Sequence, residues 1–268
     1  MYTQIFIFIT AVIFTILFFP LYKNILIRLG SVQNNYQKKQ VPISFGAYIF
    51  IIETFLIIVF KIENTFYIWI TFLIMTFVGL YDDLFGTTTI KGLKGHFTAF
   101  FRGQITSGFI KALSGGFIAF FLSIYLAKSW WNIISAFFLI LLMINTVNLF
   151  DLRPGRALKL FFFLFTLLAI TTSFLTKEPL AFILLGILII LFKNDIRAKI
   201  MIGDSGANLI GLHLGIWFSS YYPMHIQWIV VFLLVVLHIY TERYSLSELI
   251  ERNRYLRKID LWGRKGTM

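Results

Sequence analysis

Residues 130–150 read WWNIISAFFLILLMINTVNLF, twenty-one positions without a charged side chain. A helix needs about 20 mostly apolar residues to cross the hydrocarbon layer of a bilayer, so this stretch sets the fold class. Working outward from it, eight more apolar segments follow the same pattern: Thr3–Tyr22, Phe45–Phe60, Phe66–Leu80, Thr106–Leu126, Leu158–Phe174, Leu180–Phe192, Asn208–Ser220 and Ile226–Tyr240. The segments at 180–192 and 208–220 are the shortest, and short spans are accommodated by local bilayer thinning or by neighbours. Composition agrees, with 59% hydrophobic residues, 13% charged residues and a mean hydropathy of +0.83. A soluble domain carries about 25% charged residues. The chain therefore reads as an all-α polytopic membrane protein of about nine transmembrane helices. Residues 1–240 form the transmembrane domain and residues 241–268 a basic tail. No cysteine is present, which excludes disulfides, thiolate metal sites and cysteine nucleophiles.

Charge then sets the expected orientation. Of the 24 Lys and Arg residues, twenty fall in alternate loops that share one membrane face, three fall in the opposite loops, and Lys111 lies inside the fourth segment. The positive-inside rule puts the N-terminus outside and the C-terminus in the cytoplasm. The net charge of +12 could also suggest nucleic acid. Its distribution over five loops on one membrane face argues against that partner. The first segment does not read as a cleavable signal, because Lys23 and Arg28 follow it rather than precede it.

The aspartates gather in the same loops. Asp82-Asp83 ends the third segment, and two adjacent carboxylates are tolerated best beside a cation or metal; a plain polar stop is the ordinary alternative. Asn145-Thr-Val-Asn148-Leu-Phe-Asp151 closes the fifth. Its two amides lie on one helical face, where they suit either a base or sugar edge or interhelical contacts. In Gly203-Asp204-Ser205-Gly206, the glycines permit a tight turn and close backbone approach to a ligand. Asp204 there is a candidate metal ligand for a bound phosphate, while a simple helix cap by Asp204 or Ser205 is the plainer reading. Phosphate chemistry calls for Mg²⁺, and Mg²⁺ for hard oxygen donors of this kind.

Together these stretches resemble the polyprenyl-phosphate N-acetylhexosamine-1-phosphate transferases, the MraY/WecA-like membrane enzymes of glycosyltransferase family 4 type. That family carries an Asp-Asp pair after its third span, an Asn-x-x-Asn-(Leu/Met)-x-Asp segment and an Asn-x-x-x-Ala-Lys-(Ile/Val)-x-x-Gly-Asp-x-Gly segment, in that order. Here they stand as Asp82-Asp83, Asn145 to Asp151, and Asn194 to Gly206. Lys38-Lys39-Gln-Val41-Pro42 with Gly46 is similar to a fourth, entry element. The resemblance runs over about residues 38–211. It implies transfer of an N-acetylhexosamine-1-phosphate from a UDP-sugar to polyprenyl (undecaprenyl) phosphate with release of UMP, initiating a cell-envelope glycan. It implies Mg²⁺, with Mn²⁺ a second choice, and a multi-pass enzyme of the bacterial cytoplasmic membrane with its site on the cytoplasmic face. By motif position Asp82, Asp83 and Asp204 would be catalytic, with Asp204 and Asp83 on the metal. Lys39, Lys94, Lys111, Asn148, Asp151, Arg153, Asn194 and Lys199 would hold the substrates. A homodimer is compatible with this reading.

The chain also departs from the family. The usual Asp-Gly-(Leu/Ile)-Asp-Gly is Asp151-Leu-Arg153-Pro154-Gly155-Arg156 here, so two arginines enter that could grip phosphate bidentately. The His-rich segment of the last cytoplasmic loop is missing. In its place Ser245–Glu248 forms a capping box ahead of a basic amphipathic helix, suited either to anionic headgroups or to roofing the site. Glu53 lies in the middle of the second segment, a costly place for a carboxylate, where His213 is a candidate partner. These departures leave open a catalytically degenerate scaffold or binding protein. A transporter using Glu53, His213 and Lys111 as a polar path is a further alternative.

Overall fold

The computed structural model describes residues 2–86, 92–127 and 129–264, with only the backbone described at 92–94, 96 and 97. Its elements in chain order are α1 (Tyr2–Arg28), β1 (Val32–Asn34), β2 (Gln40–Pro42), α2 (Phe45–Val59), α3 (Phe66–Phe85), α4 (Gly92–Phe101), α5 (Ser107–Leu126), α6 (Trp130–Phe150), α7 (Arg156–Thr171), α8 (Phe174–Lys177), α9 (Pro179–Asp195), α10 (Gly203–Tyr221), α11 (Met224–Arg243), α12 (Leu246–Arg252) and α13 (Arg254–Leu261). Each of the nine apolar segments falls on one of these helices. By length and composition, α1, α3, α5, α6 and α11 can cross a membrane, and α2 is a shorter apolar helix.

Helix α10 is the centre of the bundle and packs against α2, α3, α6 and α7. Every residue from Ser205 to Phe218 is buried. Its modest hydropathy follows from that position, because protein rather than lipid surrounds it and small residues set the spacing. A Cβ on Gly211 would sit 2.6 Å from the Cα of Ile144, and one on Gly215 would sit 2.7 Å from the Cα of Ile140. These two glycines, four residues apart, let α10 and α6 approach at backbone distance, as small residues do in membrane bundles. Helix α1 is the opposite case. It packs on α9 and turns most of its large apolar side chains, such as Phe6, Ile13 and Leu17, outward, as a lipid-facing helix does.

The helical reading has one exception among the described residues. β1 and β2 form an antiparallel hairpin, with Gln33 opposite Val41. Asn35 holds its turn, its side-chain oxygen accepting from the backbone N–H groups of Gln37 (2.9 Å) and Lys39 (3.0 Å). The Asn35 amide also donates to the Ala198 carbonyl at 3.1 Å, and Met201 N–H donates to the Pro42 carbonyl at 2.9 Å. The hairpin thus braces the loop that leads into α10.

The tail also differs from the single amphipathic helix expected. Asn253 breaks it in two, and its side-chain oxygen accepts from Tyr255 and Leu256 N–H to cap α13. Ser245 caps α12 as expected, accepting from Glu248 N–H.

Candidate active site

One end of the bundle collects the polar residues. α3 ends with Asp82 and Asp83, α5 begins with Ser107 and Lys111 on one face, α6 ends with Asn145 and Asn148 before Asp151 at its C-cap, and α10 begins with Gly203 and Asp204. A cavity of about 490 Å³ opens between them, lined by Asp82, Lys111, Asn145, Asn148, Asp151 and Asp204 among others.

Lys111 is the hub. Its ammonium lies 3.1 Å from Asp204 Oδ2 and 3.4 Å from Asp82 Oδ2. Asn148, with its amide oriented to satisfy both neighbours, accepts from Lys111 at 2.9 Å and donates to Asp204 Oδ1. Ser107, one turn before Lys111, hydrogen-bonds Asp82. Two carboxylates therefore share one ammonium, and the cavity lining carries further acid in Asp151 and Asp83.

The two adjacent aspartates have separated roles. Asp83 is buried and its carboxylate is engaged by α10. Its Oδ1 accepts from Asp204 N–H at 2.7 Å, and its Oδ2 accepts from Ser205 N–H at 3.2 Å and from the Ser205 hydroxyl at 2.8 Å. The first turn of α10 has unpaired N–H groups and a partial positive charge, and Asp83 satisfies both needs from another helix. Neither Asp204 nor Ser205 caps α10, since both already lie in its first turn. Gly203 makes the approach possible. It has φ +75, and a Cβ there would meet both Asp83 oxygens at 2.7 Å. The close approach read from the glycines is thus to this chain's own carboxylate. Two further glycines press on the same turn, since a Cβ on Gly46 or on Gly79 would come within 2.2 or 2.3 Å of the Ser205 backbone.

Asp151 stands at the inner edge of the cavity. Its carboxyl is held well above the usual carboxylate range, first by burial and then by the negative charges of Asp195, Asp204 and Asp83; a backbone hydrogen bond from Gly203 opposes the shift.

The other expected binding residues lie elsewhere. Lys39 and Lys199 are exposed, on the hairpin and in the loop before α10. The Asn194 amide donates to the Ile190 carbonyl of its own helix at 3.1 Å. Its neighbour Asp195 is buried and accepts from Gly155 N–H at 2.7 Å. Lys94 lies outside the residues whose side chains are described. Arg153 faces a second cavity, with its guanidinium 5.9 Å from the centre of the Tyr36 ring and 4.0 Å from Glu251. Arg156 makes the bidentate contact anticipated for a phosphate with Asp260 instead, at 2.9 and 3.0 Å. Glu53 and His213 do pair, at 2.8 Å deep in the bundle, whereas Lys111 belongs to Asp82 and Asp204. Among the described residues no hydrogen bond or ion pair joins Lys111 to the Glu53–His213 pair.

Sequence reasoning missed Gln33 and Ser107. Gln33 lines the cavity and donates to the Asp83 carbonyl at 3.0 Å. The one available signal was for Ser107, whose i,i+4 spacing from Lys111 puts both on one helical face.

Mg²⁺ binds through one or two carboxylates together with substrate phosphates and water. Among the described residues no group of three or more acidic or histidine side chains forms a closed cage. Asp82 and Asp204 offer oxygen donors only, already gathered around a cation. The donor set therefore fits a hard divalent ion that is shared with a phosphate-bearing substrate.

A family model described as glycosyl transferase family 4 matches residues 65–222, more than half of the chain. No curated protein matches the sequence.

Proposed function

The chain belongs to glycosyl transferase family 4, whose enzymes are polyprenyl-phosphate sugar-1-phosphate transferases, and from that premise we propose its reaction in full. It transfers an N-acetylhexosamine-1-phosphate from a UDP-sugar to polyprenyl phosphate. A phosphate oxygen of the lipid attacks the β-phosphorus of the nucleotide sugar, the bond between that phosphorus and UMP breaks, and UMP leaves with the electron pair. The observation that carries this reading is the convergence of Asp82, Asp204 and Asn148 on the Lys111 ammonium inside one cavity.

The geometry supports the following roles. Asp82 and Asp204 would hold Mg²⁺, which neutralises charge developing on the transferred phosphoryl group. Lys111 donates to phosphate oxygens from a position fixed by Asn148. It lies one turn into α5, at the level a lipid phosphate occupies when its chain remains in the bilayer. Asp82, held by Ser107, orients the attacking phosphate. Asp151, which lines the same cavity, hydrogen-bonds the nucleotide. Asp83 takes no metal in this assignment: both its oxygens serve α10, which makes it the positioning residue for Asp204. Lys39 and Lys199 form an exposed basic rim that draws in the anionic nucleotide. Nine spans with a cytoplasmic C-terminus in the bacterial cytoplasmic membrane would put this mouth where a soluble nucleotide sugar meets a lipid phosphate.

The test is UMP release by the purified protein in detergent, with undecaprenyl phosphate and either UDP-GlcNAc or UDP-GalNAc, with and without Mg²⁺. Release dependent on lipid, sugar nucleotide and metal is expected. No turnover with either UDP-sugar from folded protein would overturn the proposal and favour a degenerate scaffold.

A further inference from the structure

A second cavity, of about 530 Å³, lies between the turn before α7 and the two tail helices. Its floor is one carboxylate clasped by two guanidiniums. Asp260 accepts from Arg156 at 2.9 and 3.0 Å and from Arg264 at 2.7 and 3.1 Å. These side chains are only 5–9% exposed, so the two guanidiniums and one carboxylate sum to one positive charge away from water. An unpaired buried charge is costly unless a counter-charge approaches it. Further links hold the floor rigid: Arg264 Nε donates to the Pro154 carbonyl at 2.8 Å, and the Lys159 ammonium donates to the Ile259 and Asp260 carbonyls at 2.9 and 2.7 Å.

The walls add to the excess. Arg252 and Arg257 line the cavity and form no ion pair among the described residues; Glu248 is the one unpaired acid opposite them. Arg153 and Glu251 offset each other at the rim. The lining as a whole carries five guanidiniums against three carboxylates, an excess of two positive charges.

We propose that this cradle is an anion site for a phosphate-type group bearing about two negative charges, and that Arg252 and Arg257 are the residues that close on it. Fork-shaped guanidiniums on a fixed floor match the geometry of phosphate oxygens. The site does not depend on the transferase reading. Two sources supply this chemistry: a soluble phosphorylated molecule reaching the cavity from the aqueous side, or the headgroup of an anionic phospholipid. A smaller cavity lies between the two, sharing Tyr36 and Arg153 with this one and Asp151 and Leu152 with the first.

The test is thermal unfolding of the full chain in phosphatidylcholine nanodiscs titrated with inorganic pyrophosphate. Lys111→Ala serves as the background, so that anion binding at the catalytic mouth is weakened throughout. Pyrophosphate should raise the unfolding temperature, and adding Arg252→Ala and Arg257→Ala should raise the half-saturating concentration about tenfold or more. Both arginines are exposed, so the variant should fold. The same titration in discs doped with phosphatidylglycerol names the source: a response abolished by the lipid supports a headgroup, and a response that persists supports a soluble anion. No stabilisation by pyrophosphate or by phosphatidylglycerol, or equal half-saturation with and without the two arginines, would overturn the proposal.

Discussion

The two polar clusters at this end of the molecule are built in opposite proportions. At the proposed catalytic mouth two carboxylates, Asp82 and Asp204, surround one ammonium. Beneath the tail two guanidiniums, Arg156 and Arg264, surround one carboxylate. The first cluster has carboxylate oxygen to spare and suits an added cation with the phosphate it carries. The second has positive charge to spare and suits an added anion. On the proposed roles, neighbouring loops of one basic protein separate a metal-facing from an anion-facing task, and residue counts on the loops do not reveal which task falls where.

The comparison breaks most sharply at Asp204. Asp204→Ala should lower UMP release by at least the ~10²–10³-fold typical of losing one transition-state electrostatic contact, with little change in thermal stability, since Asp204 uses its side chain on Lys111 and Asn148. Lys111→Ala should cost a similar factor, and it should also weaken binding of the polyprenyl phosphate, which separates it from Asp204→Ala in the KM for the lipid in the same assay.

Asp83→Asn tests the other half of the aspartate pair. It removes the charge that faces the start of α10 and leaves donors in that turn poorly matched. A loss of about 1–3 kcal/mol is expected, read as a lower unfolding temperature alongside reduced turnover. If Asp83 instead held only metal, stability would not move.

The tail cluster should break at Asp260→Ala, which leaves two buried guanidiniums unpaired and costs about 3–5 kcal/mol of local docking. The tail should then become cleavable by trypsin while the helical bundle stays protected. Acid probes the same contact more gently. Burial alone would raise the Asp260 carboxyl, but the hydrogen bonds and charges of Arg156 and Arg264 outweigh it and hold the carboxyl below its ordinary value of 3.8. Its stabilising effect is therefore fully present above that value and is lost as pH falls beneath it. Tryptic sensitivity of the tail should rise only in that acidic range. Lys39→Ala and Lys199→Ala, both on the exposed rim, should have the smallest effect, a change in KM that fades with added salt.

Much of this architecture was legible in the sequence. Long uncharged runs such as 130–150 expose themselves, because lipid demands the same composition from every helix it touches. α10 was harder to read, because its neighbours are protein and its Gly211 and Gly215 serve close packing rather than hydrophobicity. The hairpin around Asn35 was not visible, since three-residue strands are too short to carry a periodicity. At the site, the motif spacing brought Asp82, Asn148, Asp151 and Asp204 to one cavity, but adjacency gave no way to divide Asp82 from Asp83. That division depends on Gly46, Gly79 and Gly203, which bring the start of α10 against α2 and α3. The link between Arg156 and Asp260 spans more than a hundred residues and has no local signature. Asn253 is a cap whose effect, two tail helices in place of one, depends on where the chain turns.

The central claim is that Asp82 and Asp204, arranged around Lys111, form a metal-dependent phosphotransfer site. The most direct test is an Mg²⁺ titration of UMP release from the UDP-sugar and undecaprenyl phosphate, comparing the unaltered protein with Asp204→Ala. The account predicts saturable Mg²⁺ dependence in the former and no release above background at any Mg²⁺ concentration in the latter. Equal turnover by the two proteins would contradict it.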